Sequence, residues 1–124
     1  MGDKQNNRKI GAKYERVAKE YLIEHGYQIV ESNYFCKAGE IDIIAREGNY
    51  LVFVEVKYRK NKKAGSSLEA VDLRKQKTLS RCAIFYMMER HLSFECPMRF
   101  DVIGIEGKEI LLRKNAFPYQ GYSY

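Results

Sequence analysis

The chain has 124 residues, 45% hydrophobic and 31% charged, which fits one globular domain and excludes a disordered chain. A domain of this size buries a core without disulfides or structural metal, and the sequence has no apolar run near the roughly 20 residues of a membrane helix. The net charge of +6 is ordinary as a total, so its distribution carries the information. The polar start Met1-Gly2-Asp3-Lys4 lacks a signal peptide's apolar segment, which predicts a cytosolic protein and no membrane partner.

Ile10, Tyr14, Val17, Ala18, Tyr21 and Leu22 recur at helical spacing. Asn6 or Asn7 can cap the start and Gly26 can close the end, so a helix is expected over about residues 8–25. Tyr27 to Asn33 reads as a short strand and residues 34–38 as a connection. Glu40 to Glu47 and Tyr50 to Tyr58 are strands by β-branched content, with Gly48-Asn49 as a two-residue hairpin turn. A polar basic loop covers residues 59–67. Asp72 can cap a long helix to about Arg90, with Leu79, Cys82, Ala83, Tyr86 and Met87 on its apolar face. After Pro97, Met98 to Ile105 is a strand, Glu106-Gly107-Lys108 a turn and Glu109 to Arg113 a last strand. The tail from Phe117 to Tyr124 is aromatic. Helix, three strands, helix, two strands is an α/β order. Its hairpins are antiparallel, and its long helix permits one parallel crossover, giving a mixed central β-sheet flanked by helices.

Cys36, Cys82 and Cys96 are scattered, no C-x-x-C occurs, and His25 and His91 stand apart, so the paired ligands of a zinc site are missing. Three reduced, mostly buried thiols are expected. Lys57, Arg59, Lys60, Lys62 and Lys63 put five cations in seven residues, and Lys75 and Lys77 follow. That clustering reads either as a polyanion-binding surface or as a solvated loop.

The two central strands carry acids among Ile, Val, Leu and Phe. With a two-residue turn, paired residues have numbers summing to 97, so Ile43 faces Val54 and Asp42 faces Glu55. Alternation puts Leu51, Phe53, Glu55 and Lys57 on one face, turning from apolar to charged, with Ile44, Asp42 and Glu40 beside them. Opposed like charges destabilise a sheet. Protonation, Lys57 or a bound cation can relieve them, and carboxylates are the ligands Mg²⁺ or Mn²⁺ favours. The Val56 carbonyl is a candidate third oxygen ligand. A divalent ion beside a basic surface suits phosphodiester cleavage. Lys57 would orient or deprotonate the water, or stabilise charge on the phosphate. The bland reading of Glu55 and Lys57 is a solvated strand end.

An acid on one strand followed by E-x-K on the next resembles the PD-(D/E)xK nucleases and their restriction-endonuclease-like fold. More narrowly, GAKYERVAKEYLIEHGYQIV, GEIDIIAREGNYLVFVEVKYR and MRFDVIGI…NAF are similar to the YraN-like family of uncharacterised, endonuclease-like bacterial proteins, along nearly the whole chain. That family is similar to Holliday junction resolvases. The resemblance implies a Mg²⁺- or Mn²⁺-dependent endonuclease acting on DNA, branched DNA included. It implies catalytic roles for Asp42, Glu55 and Lys57, with Glu15 of the first helix at the matching fourth position. Arg59, Lys60, Lys62, Lys63, Lys75 and Lys77 become candidate nucleic-acid contacts, with Lys75 and Lys77 in the first turns of the second helix. The proline of the motif is replaced by Ile41, and Glu40 is a candidate extra ligand. The resemblance also implies a homodimer, with the aromatic tail at its interface or packed on its own sheet. The competing readings are a non-catalytic nucleic-acid-binding module and an interaction subunit on the same fold.

Overall fold

The computed structural model describes residues 3–60 and 67–121. Its elements run α1 (Asp3–Glu24), β1 (Gln28–Cys36), β2 (Gly39–Glu47), β3 (Tyr50–Arg59), a 3-10 turn (Leu68–Ala70), α2 (Leu73–Glu89), β4 (Met98–Glu106) and β5 (Glu109–Phe117). The strands form one five-stranded sheet in chain order, with β3 and β4 parallel and every other neighbouring pair antiparallel. The α2 segment is the crossover that the parallel pair requires. This mixed sheet with helices packed against it is the architecture expected of a restriction-endonuclease-like fold.

Local chemistry explains the boundaries. Asp72 accepts a hydrogen bond from the Lys75 N–H at 2.9 Å and caps α2. Gly26 (φ +90°) closes α1 in the left-handed region, where a side chain would be strained. Gly48 (φ +58°) turns the β2–β3 hairpin. The pairs Glu47↔Tyr50 through Ile43↔Val54 hold the expected register.

Several expectations shift. Helix α1 starts at Asp3, so Asn6 and Asn7 lie inside it and not at its cap. Strand β1 runs on to Cys36, leaving only Lys37-Ala38 as the turn, because its pairing with β2 continues to Cys36↔Gly39. Strand β5 continues to Phe117, whose ring is buried and stacks on Phe100 at 4.8 Å, so the tail's first aromatic is core. The 3-10 turn at Leu68–Ala70 carries no propensity signal that marks it in advance. Lys62 and Lys63 lie outside the described residues, as do Tyr122 and Tyr124 of the aromatic tail.

The sheet buries both faces. On one, Ala18 and Leu22 of α1 pack with Tyr27, Ile43, Ala45, Val52, Val54, Ile103 and Ile105. On the other, Leu79, Cys82, Ala83, Tyr86 and Met87 of α2 pack with Ile44, Leu51, Phe53, Phe100 and Val102. All five residues expected on the α2 apolar face are buried. Full burial of a side chain the size of Leu79 or Met87 gains roughly 1.5–3 kcal/mol. These two layers fix β2 and β3 rigidly at the point where the acids occur.

Candidate active site

Strands β2 and β3 part at Asp42. Their ladder runs to Ile43↔Val54 and goes no further. Ile41 packs in the α2 layer and Ile43 in the α1 layer, although residues two apart on a regular strand share a face. The alternation therefore breaks at Asp42, which corrects the expectation that Asp42 and Glu55 are a plain cross-strand pair. The carboxylate takes over the ladder's role: Val56 N–H donates to Asp42 Oδ2 at 2.9 Å. Val56 thus meets Asp42 through its amide, an interaction that strand spacing alone does not reveal.

Asp42 opens to a cleft of about 270 Å³ lined by Tyr14, Glu15, Val56 and Tyr58, among others. Lys57 and Lys75 open to a second, of about 330 Å³, shared with Asp72, Arg74 and Thr78. Glu55 lies between, only 4% exposed, at the point where a core residue would gain burial energy and a charge gains none. Its Oε2 is 3.4 Å from Lys57 Nζ and 3.4 Å from Lys75 Nζ. Burial above all, then the charge of Asp42 and a hydrogen bond with it, push Glu55 up to about 8, against the pull of Lys75 and Lys57.

The other two expected acids share this field. Burial and then Asp42 raise the Glu15 carboxyl, against a hydrogen bond with Asn33 and the charge of Lys19. Glu40 is raised by burial, then by Asp42 and Glu15, against Lys75. The fold thus gathers Glu15 of α1, Glu40 and Asp42 of β2, Glu55 and Lys57 of β3, and Lys75 from the start of α2. Among the described residues, no three His, Cys, Asp or Glu side chains stand close enough to hold a metal ion together. Asp42 is the acid that acts on Glu55 most strongly.

The basic candidates divide. Lys75 pairs with Glu55, so it belongs to the acid site first and the surface second. Lys77 turns away and lines a separate cavity with Ile84, Phe85 and Tyr119. Arg59 is exposed and donates to the Tyr58 carbonyl at 3.1 Å, and Lys60 is exposed. Two features of the site escaped the sequence. One is the stack of Tyr14 on Tyr58, ring centroids 3.8 Å apart, which ties α1 to β3 beside Asp42. The other is the bridge from Lys75. Its only sequence signal is a cation in the first turn of α2, where it opposes the helix dipole and so wants a nearby anion.

The sequence model of the uncharacterised protein family UPF0102 matches residues 14–105. The chain belongs to the UPF0102 family. A UPF0102 protein of Lachnoclostridium phytofermentans is 47% identical over 116 residues, covering 93% of this chain and 98% of that protein. One from Aliivibrio fischeri is 44% identical over 119 residues, covering 94% and 97%. One from Legionella pneumophila is 44% identical over 105 residues, covering 83% and 89%. The matched UPF0102 segment contains Glu15, Asp42, Glu55, Lys57 and Lys75. No helix among the described residues is long and apolar enough to cross a membrane.

Proposed function

We propose that this UPF0102 protein is a metal-dependent endonuclease that hydrolyses DNA phosphodiester bonds, with branched DNA among its substrates. One observation carries the reading: a nearly fully buried Glu55 sits against Asp42, at an energetic cost, where two strands part beside exposed cations. A fold under no chemical demand would place a leucine there.

The donor set fits a hard divalent cation. Asp42 and Glu55 supply carboxylate oxygens, the Val56 carbonyl is a further candidate, and water completes the shell that Mg²⁺ keeps. Mg²⁺ or Mn²⁺ bound there supplies Lewis-acid polarisation of phosphate and an acidic water. The remaining work belongs to the chain. Asp42 is held by the Val56 amide and Glu55 by packing, so both oxygens are fixed in advance. Lys57, a quarter exposed and 3.4 Å from Glu55, is placed to orient water or to stabilise charge on phosphate. Glu15, across the Asp42 cleft, is the candidate fourth acid. Arg59, Lys60, Lys62 and Lys63 are candidate phosphate contacts that position DNA without reading its bases. A homodimer would let two such sites cut both strands of a branch.

A second reading is a non-catalytic nucleic-acid-binding module. It is favoured by the two lysines on Glu55 and by the lack of a three-acid cluster among the described residues. A cleavage panel in Mg²⁺ and Mn²⁺ on duplex, single-stranded, flap and four-way DNA separates the two. The nuclease reading expects cleavage of at least one substrate, abolished in Glu55→Ala and Asp42→Ala. Binding without cleavage in either ion selects the module. Replacing Lys60, Lys62 and Lys63 with Ala is expected to flatten the slope of log affinity against log salt, by roughly 0.9 for each phosphate no longer neutralised. An unchanged slope would make them a solvated loop.

A further inference from the structure

The turn between β1 and β2 is pressed against α2. Cys36 and Gly39 are cross-strand partners flanking Lys37-Ala38. Gly39 has φ +152°, and a Cβ there would stand 2.9 Å from Thr78 Cγ2 and 3.6 Å from Cys82 Sγ. The backbone thus approaches the helix more closely than a side chain would permit. The Lys37 ammonium lies 5.5 Å from the Phe85 ring and clasps the same junction from outside. This docking brings Cys36 Sγ to 3.5 Å from Cys82 Sγ. Cys82 is fully buried and Cys36 half-buried, while the third thiol, Cys96, is directed at the Pro97 carbonyl, 3.7 Å away.

We propose that Cys36 and Cys82 are a dithiol that closes to a reversible disulfide, tying the turn before Glu40 to the helix that carries Lys75. A disulfide bond is about 2.05 Å long, so the sulfurs must come about 1.5 Å closer. Cys36 is the last residue of its strand, so the movement falls at the edge of the ladder. A low-molecular-weight disulfide such as glutathione disulfide is a sufficient oxidant. The Cys36 thiolate attacks one of its sulfurs and expels one glutathione thiolate, leaving a mixed disulfide. Cys82 Sγ then attacks Cys36 Sγ and expels the second glutathione, which takes the Cys82 proton. Two protein thiols are oxidised and one glutathione disulfide is reduced to two thiols. Exposure sets the order, because reagent reaches Cys36 first. Burial, reinforced by Cys36 itself, pushes the Cys82 thiol up to about 12, so it does not initiate; its attack on Cys36 is carried by proximity, the two sulfurs being 3.5 Å apart.

The bond would join the end of β1, paired at Cys36↔Gly39 with the start of β2, to α2, whose Lys75 pairs with Glu55. It requires no particular activity of that site. The test uses the full chain with Cys96→Ser, checked for native circular dichroism and exposed to glutathione disulfide without denaturant. The expected product has two hydrogens fewer by intact mass, retains no glutathione, offers no thiol to alkylation after unfolding, melts higher than the reduced form and reverts in dithiothreitol. Adding Cys82→Ala is expected to trap glutathione on Cys36. Adding Cys36→Ser is expected to leave Cys82 unmodified. Glutathione stably retained on Cys36 beside an alkylatable Cys82, or a disulfide that forms only in urea, would overturn the assignment.

Discussion

Two buried acids lie on neighbouring strands, one residue apart in register and on opposite faces of the sheet. Asp101 pairs with Val54, and Glu55 pairs with Val102. Asp101 is completely buried and fully served. Its carboxylate accepts from Tyr27 Oη at 2.7 Å, from Arg99 Nε at 2.9 Å and Nη2 at 3.0 Å, and from the Asn115 N–H at 2.9 Å. Arg99 also binds Glu47, which Lys114 holds at 2.7 Å. Glu55 is almost as buried, but among the described residues it receives two lysines at 3.4 Å and is opposed by the charge of another acid, Asp42. Equal burial with unequal service distinguishes a carboxylate that holds the fold from one kept for another partner.

The largest effect expected from this contrast is at Asp101. Asp101→Ala strands the Tyr27 hydroxyl and the Asn115 amide and leaves Arg99 with Glu47 alone, and is expected to cost about 3–5 kcal/mol, the range for removing one partner of a buried pair. Glu55→Gln keeps the shape and the neutral state that burial favours, so it is expected to cost nothing below pH 8 and to stabilise above it. Urea unfolding of both variants in EDTA checks the pair. A large loss in Glu55→Gln would make Glu55 a structural acid like Asp101.

The same contrast has a pH signature. Glu55 is raised from the ordinary carboxylate range to about 8 in the folded state. Between those values the folded protein holds a proton that the unfolded chain has released. The stabilisation is therefore complete below the unfolded pKa and is lost as pH rises toward 8, with a slope approaching about 1.4 kcal/mol per pH unit for one proton. Chemical denaturation from pH 5 to 8 in EDTA should show this decline in the parent and lose it in Glu55→Gln. A parent whose stability is flat over that window would place Glu55's proton release in the ordinary range and remove the strain from the site.

Much of this contrast was legible in the sequence, and the reasons for the rest are physical. The elements and their order followed from apolar periodicity and from Gly48-Asn49, and the register from Ile43 to Glu47 followed from that turn alone. The buried α2 face followed from helical spacing. The parting of the strands at Asp42 did not, because a break in alternation depends on Ile41 finding space under α2, and no local propensity records that space. Nor did the service of Asp101. Its partners Tyr27, Arg99 and Asn115 are brought together only by the fold, whereas E-x-K is local and so could be noticed. The lysine from α2 at Glu55 was missed for the same reason.

The smallest effect expected is at Asp42, and it sharpens the contrast most. Asp42 is half-buried, accepts from the Val56 amide and repels Glu55, so it has one structural partner and one opponent. Asp42→Asn keeps an oxygen able to accept from Val56 and places an amide donor beside Glu55. The metal-free variant is therefore expected to be as stable as the parent or more so, by less than about 1 kcal/mol, the scale of a partly exposed charge pair. Glu55 should lose the part of its shift that Asp42 causes and keep the larger part caused by burial, so the pH slope should narrow without vanishing. Mg²⁺ should raise the melting temperature of the parent and leave the variant unchanged. At an ion concentration about ten times the dissociation constant, that stabilisation is about 1.4 kcal/mol. Thermal melts in EDTA and in Mg²⁺ read both halves. A variant that melts well below the parent in EDTA would mean that the Val56 hydrogen bond outweighs the repulsion. Asp42 would then belong with Asp101, as an acid that holds strands together where their ladder stops.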